Sequence, residues 1–211
     1  MPNRFFVTGT DTGIGKTVVS ALLCAALDAI YWKPIQTGSR EDMDRETVAE
    51  LAQLPQNRTI PEAYCFVPPV SPHLAARRAG ARIDLRKIRL PKIEPGRALI
   101  VEGAGGALVP INELQLTTDL MAHLKLPVIL VARTTLGTIN HSLLSIAALR
   151  DAGLRVHGVI FSGKPDAENR KAIAHYGKVR VLGTLPPLDP LNGKALRRAF
   201  QAHFKRGDFL A

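Results

Sequence analysis

Residues 8–17 read TGTDTGIGKT and follow directly on an apolar, strand-like RFFV at 4–7. The run GKTVVSALLCAAL (15–27) that comes next has the composition of a helix. A strand, a glycine loop and a helix opening on Gly-Lys-Thr form the arrangement that holds a phosphate. Backbone N–H groups of the loop and helix start point at the anion, and the helix dipole favours it. Lys16 adds a point charge, and the Thr17 hydroxyl can ligate Mg²⁺. The usual phosphate loop reads G-x-x-x-x-G-K-[ST]. Counting back from Gly15, that pattern wants glycine at position 10, where this chain has Thr10; the nearest glycine is Gly9. The loop is therefore atypical, longer by one residue.

Outward from the loop, the chain alternates strand-like and helix-like runs. Strands are expected at 4–7, 29–35 (AIYWKPI), 97–103 (RALIVEG), 127–133 (PVILVAR), 156–161 (VHGVIF) and 179–185 (VRVLGTL). These runs are continuously apolar rather than alternating, as strands buried on both faces are. Helices are expected at 15–27, at 45–54 (RETVAELAQL), at 71–80 and at 138–153 (TINHSLLSIAALRDAG). The third has Ser71 as N-cap, Pro72 at the first helical position and Gly80 near its end. The last carries Ile139, Leu143, Ile146 and Leu149 at helical spacing and ends at Gly153. Residues 55–70 contain four prolines and read as an irregular loop. The pattern predicts an α/β fold: a doubly wound, mainly parallel sheet with helices on both faces, in a single domain over 1–211.

Composition narrows the function classes. The 211 residues are 46% hydrophobic and 22% charged, ordinary for a globular protein. No apolar run approaches the ~18–20 residues of a membrane span. The chain starts almost at once with a strand and a glycine loop, so no signal peptide is expected. Cys24 and Cys65 form no metal or redox spacing, and Cys24 in ALLCAAL reads as a buried free thiol. A cytoplasmic location is expected. The net charge of +10 fits either a polyanion-binding surface or a basic enzyme with anionic substrates. The cations are scattered and only 5% of residues are aromatic, so no stacking platform accompanies the charge. Nucleic acid is not expected as a partner.

Other groups can join the loop at the carboxyl ends of the strands, where ligands of open α/β sheets bind. Glu102 lies near the end of LIVEGAGG, and Gly103, Gly105 and Gly106 let the backbone approach a ligand. Mg²⁺ is usually held by one or two carboxylates together with phosphate oxygens and water. Glu41, Asp42 and Asp44 share a loop. On local grounds Asp44 is only slightly preferred there, since it can cap the helix that follows. Lys33 ends the second strand, held extended by Pro34; a crevice lysine and a surface lysine remain equal readings. Thr37 and Ser39 offer hydroxyls nearby. Asn140 and His141 lie near a helix start whose backbone donors can hold a carboxylate. The other histidines are dispersed, and no Ser-His-Asp, Cys-His or zinc pattern is present.

Four segments taken in order, VTGTDTGIGKT (7–17), KPIQTGS (33–39), VEGAGG (101–106) and PVILVARTTLGTINHSLL (127–144), resemble the dethiobiotin synthetase family. That family's phosphate loop has the same longer spacing, which accounts for Thr10. PVSPHLAA (69–76) and LGTLPPL (182–188) give weaker support, and the likeness spans nearly the whole chain. It implies an ATP- and Mg²⁺-dependent carbon–nitrogen ligase of biotin biosynthesis that closes CO₂ onto the two amines of 7,8-diaminononanoate. The implied route passes through a carbamate and a carbamic–phosphoric anhydride to dethiobiotin, ADP and phosphate. The resemblance also implies Lys33, Lys16 and Thr12 as catalytic residues, and Thr17, Asp44 and Glu102 as the metal ligands, raising Asp44 above Asp42. For the nucleotide it implies Gly13, Ile14, Gly15, Lys16, Thr17, Val18, Asp44, Glu102, Gly103, Ala104, Gly105, Ser162, Gly163, Pro186, Pro187 and Leu188. For the diamine substrate it implies Thr12, Lys33, Thr37, Gly105, Thr138, Ile139 and Asn140, the last three from the partner subunit of a homodimer.

The chain departs from the family pattern at a few positions. Ser162-Gly163 replace an asparagine that often reads adenine, Thr135 stands where some relatives carry lysine, and the loop before the second strand is short. Three rival readings fit less well. A corrinoid-directed synthetase usually carries a second, glutaminase domain, for which this length leaves no room. Partitioning-type ATPases carry an additional lysine early in the loop, which GTDTGI (9–14) lacks. A nucleic-acid binder rests on charge alone.

Overall fold

The computed structural model describes residues 3–40 and 43–210. The chain runs through β1 (Arg4–Gly9), α1 (Lys16–Leu27), β2 (Ile30–Trp32), β3 (Ile35–Thr37), α2 (Asp44–Ala52), β4 (Thr59–Ile60) and β5 (Tyr64–Phe66). It continues through α3 (Pro72–Arg78), β6 (Leu99–Gly106), α4 (Thr117–Leu124), β7 (Val128–Arg133) and α5 (Thr138–Asp151). It closes with β8 (Val156–Ser162), α6 (Ala167–Gly177), β9 (Val181–Leu185) and α7 (Gly193–His203).

Seven strands form one sheet in the order β4-β2-β6-β1-β7-β8-β9, and every pairing within it is parallel. The expected doubly wound architecture is what the chain adopts. Successive side chains of a strand point to opposite faces, so each apolar strand feeds two cores. Phe6, Trp32, Leu99, Val101 and Leu130 pack on the face covered by α3, α4, α5 and α6. Phe5, Val7, Tyr31, Ile100 and Ile129 pack on the other, against α1, α2 and α7. The chain leaves β1 toward β2 on one side, while β7 lies on the other. That reversal of winding opens a crevice at the carboxyl end of β1, where the phosphate loop lies.

Two expectations are corrected. The single strand expected at 29–35 is broken: β2 ends at Trp32, and β3 pairs with β5 in a separate two-stranded sheet. Pro34 has no N–H to give to a ladder, so it cannot continue a strand in the sheet interior. Residues 55–70 are not irregular throughout, because they supply β4 at the edge of the main sheet and β5 beside β3. The helices α4, α6 and α7 come in addition to those expected.

Candidate active site

The glycine loop joins β1 to α1 through backbone that only small residues adopt easily. Gly13 has φ 69° and Gly15, the α1 N-cap, φ 91°. A Cβ on Gly15 would come within 2.5 Å of Ser162 Oγ. Thr12, Gly13, Ile14, Gly15, Arg133 and Ser162 line a cavity of about 330 Å³ above the loop. Lys16 is buried, and its ammonium donates to the Asp11 carbonyl (3.1 Å). Burial pushes its pKa down, with the neighbouring Glu102 opposing that shift.

Beside the loop, side chains from α1, α2, β6 and the residue just past β2 converge. Parallel pairing sets Val7 and Tyr31 on the face that α1 covers, opposite Glu102 and Ile100 respectively. Glu102, two residues beyond Ile100, therefore points to the same face, and it is wholly buried. Lys33, just past β2, reaches the same spot with its side chain only 9% exposed. Lys33 Nζ is ion-paired with Asp44 Oδ2 and lies 3.9 Å from Glu102 Oε1. The Thr17 hydroxyl bridges the two carboxylates: it donates to Asp44 Oδ1 and stands 3.2 Å from Glu102 Oε1.

These surroundings set opposite biases on the two acids. For Glu102, burial dominates and raises the pKa, with Lys33 opposing and Asp44 reinforcing. For Asp44, burial is outweighed by the Lys33 charge together with hydrogen bonds from Lys33 and Thr17, so its pKa is lowered. The two equal readings of Lys33 are thus decided: it is a buried cation between two carboxylates. Asp44 is not the cap of α2. Met43 is the N-cap, Asp44 is the first helical residue, and its carboxylate turns to Thr17 and Lys33. Asp42, its rival, lies outside the described residues.

The oxygen set of Thr17, Asp44 and Glu102 suits a hard cation such as Mg²⁺, which bonds oxygen and keeps places for phosphate and water. Among the described residues no group of three or more His, Cys, Asp or Glu is clustered. A two-carboxylate site of this kind is completed by a nucleotide's phosphates rather than by a protein cage.

The remaining predicted residues fall around this centre. Val18, Ser162, Gly163, Pro186, Pro187 and Leu188 line, with Leu185 and Leu191, a cleft of about 200 Å³ on the far side of the loop. Gly103 touches Phe6 closely, a Cβ there meeting the ring at 2.8 Å. Ala104 and Gly105 follow it at the half-buried end of β6, and Gly105 has φ 71°. Thr37 ends β3, half-buried. Thr138 is buried with its hydroxyl donating to the Arg133 carbonyl (2.6 Å), while Asn140 is exposed at the start of α5. Among the described residues, Thr138, Ile139 and Asn140 share no hydrogen bond or ion pair with the Lys33 cluster. Two neighbours were missed. Arg133 ends β7 and ion-pairs with Asp11 of the loop. Tyr31 donates to Glu102 Oε2 (3.0 Å). The available signals were strand-end position for Arg133, and for Tyr31 a place two residues before Lys33, on the same face.

A parallel doubly wound sheet, a glycine loop at its switch point and a buried lysine and two carboxylates beside that loop define a P-loop nucleotide-binding protein. A family model described as AAA domain matches residues 3–195. A ParA family ATPase from Chlorobium tepidum shares the fold with a TM-score of 0.54 at 10% identity, over 95% of this chain and 91% of that one. Sequence relatives are much nearer. The ATP-dependent dethiobiotin synthetase of Rhodopseudomonas palustris is 52% identical over 99% of this chain and 97% of its own length. Those of Nitrobacter hamburgensis and Agrobacterium fabrum are each 50% identical over 100% of this chain and 98% of their own. The chain belongs to the ATP-dependent dethiobiotin synthetase family.

Proposed function

We propose that this chain makes dethiobiotin from 7,8-diaminononanoate, CO₂ and ATP, with Mg²⁺, as a carbon–nitrogen ligase of biotin biosynthesis. The observation that carries the reading is Lys33, a buried ammonium fixed beside the phosphate loop by two carboxylates. One amine of the diamine takes up CO₂ as a carbamate. A carbamate oxygen then attacks the γ-phosphorus, and ADP leaves. The second amine attacks the carbamoyl carbon, closes the ring and expels phosphate.

Each step gathers negative charge, and the protein's part is to position groups and neutralise that charge. The loop amides and Lys16 hold the phosphates. Lys33 faces the carbamate and the transferring phosphoryl group, with Thr12 and Thr37 beside the substrate. Thr17, Asp44 and Glu102 would hold Mg²⁺, which when bound offsets charge on the phosphate oxygens. The cleft by Ser162 and Pro186–Leu188 takes the nucleoside, its walls mostly apolar.

A homodimer completes this reading, with the α5 start at Thr138, Ile139 and Asn140 of a second copy holding the substrate's distant carboxylate. Leu108, Leu136 and Leu144 are exposed near that helix, which supports its use as an interface. Among the described residues no helix is long and apolar enough to cross a membrane. The reading places the reaction in the cytoplasm, without nucleic acid as a partner.

The test is fixation of labelled bicarbonate into acid-stable product with ATP and Mg²⁺, with and without the diamine. Label that appears only with the diamine, one-to-one with released phosphate, is the expected result. ATP hydrolysis without fixed label would leave the nucleotide site standing and remove the substrate assignment.

A further inference from the structure

We infer that Tyr31 is a positioning residue for the metal site, acting through Glu102, and that its hydroxyl fixes which carboxylate oxygen faces the phosphate loop. This rests on the reading of Glu102 as a cation ligand. Tyr31 has no exposed surface, and neither its position nor its chemistry is used in the mechanism above. It pairs with Ile100 across the β2–β6 ladder, two residues before Glu102 and so on the same face of the sheet. From there the long side chain reaches along the shared face, and Oη donates to Glu102 Oε2 at 3.0 Å.

The consequence is a division of labour between the two carboxylate oxygens. Oε2 is tied backward into the core. Oε1 is left forward, 3.2 Å from the Thr17 hydroxyl and 3.9 Å from Lys33 Nζ. A carboxylate in a wholly buried place needs its lone pairs met, since an unmatched buried polar group is costly. Ser20 of α1 is also fully buried, but its hydroxyl makes no hydrogen bond among the described residues, which leaves Tyr31 as the core donor to Oε2. Phenylalanine at position 31 would keep the ring packing among the α1-face residues and delete only the donor. Glu102 would then be free to rotate, and Oε2 would seek Thr17 or Lys33 instead. Partners behind a metal ligand commonly matter by about 10–100-fold in affinity for the metal.

The experiment measures Mn²⁺ binding to the full-length protein with saturating ATP, following free Mn²⁺ by electron paramagnetic resonance. Wild type, Tyr31→Phe, Glu102→Ala and the double variant are compared. ATP binding in the presence of a chelator is measured beside them, with thermal unfolding as a check on folding. The expected result is Mn²⁺ affinity about tenfold weaker in Tyr31→Phe, metal-free ATP binding within twofold of wild type, and no further loss when Tyr31→Phe is added to Glu102→Ala.

Unchanged Mn²⁺ affinity in Tyr31→Phe, with a clear loss in Glu102→Ala, would overturn the role of Tyr31 and leave the metal site intact. An equal loss from Tyr31→Phe in both backgrounds would show action other than through Glu102, and likewise overturn it. Unchanged affinity in Glu102→Ala would remove the metal-ligand reading itself and the Tyr31 inference with it. A Tyr31→Phe protein that unfolds is replaced by Tyr31→Met, judged by the same two backgrounds.

Discussion

The two ends of α1 make a natural comparison. Both are closed by a residue at positive φ, Gly15 at 91° and Asp28 at 54°, and both carry a cluster of ion pairs. At the front, Lys33 joins Asp44 and Glu102 with all three side chains at most 11% exposed. At the back, Asp28 takes Arg58 (2.7 Å) and Arg97 (2.5 Å), and Arg97 also holds Glu94 (2.9 Å); Asp28 there is 68% exposed. The rear cluster ties α1 to the start of β4 and to the approach to β6, and water competes for every contact. The front cluster has given up most of its water, so each of its charges depends on the others. Similar chemistry is thus an exposed seam at one end and a buried, mutually dependent cluster at the other, and burial makes the difference.

Removing Lys33 is the hardest blow to that contrast. Lys33→Ala should lower turnover by about a thousandfold. It should also lower stability by about 3 kcal/mol, because Asp44 loses the partner of a buried pair. Steady-state phosphate release and denaturant unfolding would check both. Turnover near wild type would strip the front cluster of its special status.

Gly15→Ala comes next. The new Cβ meets Ser162 Oγ at 2.5 Å, and alanine resists the positive φ at a cost of about 1 kcal/mol. ATP affinity by calorimetry should fall by about tenfold or more, and adding Ser162→Ala should recover part of it. No recovery would mean that backbone strain, not the collision, sets the loss.

The smallest effect belongs to the rear. Asp28→Asn keeps a residue tolerant of left-handed backbone and should cost about 0.5 kcal/mol, since exposed pairs are weak. Turnover should not change. The Asp28 pKa is lowered, hydrogen bonding from Arg58 being the chief cause. A lowered carboxyl pKa stabilises the fold above the unfolded value and loses that contribution as pH falls through the folded one. The gap between wild type and Asp28→Asn in thermal melts should therefore be present at pH 7 and close below about pH 3.8, the ordinary aspartate value. A gap that persists in acid would mean that the pairs are not its source.

How much of this was legible beforehand follows the same line between local and distant causes. The phosphate loop, β1, β7 and β8 were readable because continuous apolar runs and a glycine-lysine-threonine start are local signals. Helix α7 was readable in principle and missed: the Asn192 side chain caps it at Ala195 N–H (3.0 Å), and Leu196, Ala199 and Phe200 line its buried face. The meeting of Lys33 with Asp44 and Glu102 was not readable from spacing alone, because it depends on β6 slotting between β2 and β1. Resemblance supplied the choice of Asp44 over Asp42; the structure sets the Asp44 carboxylate against Thr17 and Lys33, while Asp42 lies outside the described residues. Tyr31 had no local mark, since a tyrosine in an apolar strand looks like packing until its hydroxyl is followed across the ladder.

The break at Pro34 has a consequence for motion. Beyond Lys33 the chain is no longer laced into the main sheet; β3 pairs instead with β5, through Ile35–Tyr64, Gln36–Cys65 and Thr37–Phe66, while Ile35 and Phe66 are buried in the core on the face that α3 covers. The small unit is therefore outside the main ladder but fixed by packing, its inward side chains buried against the rest of the core. Lys33 sits at its root, ion-paired with Asp44 at the start of α2 and close to Glu102 in the main sheet. The lysine is thus a joint between three separately placed pieces of backbone, and a shift in any of them would be felt at the site proposed above for phosphoryl transfer.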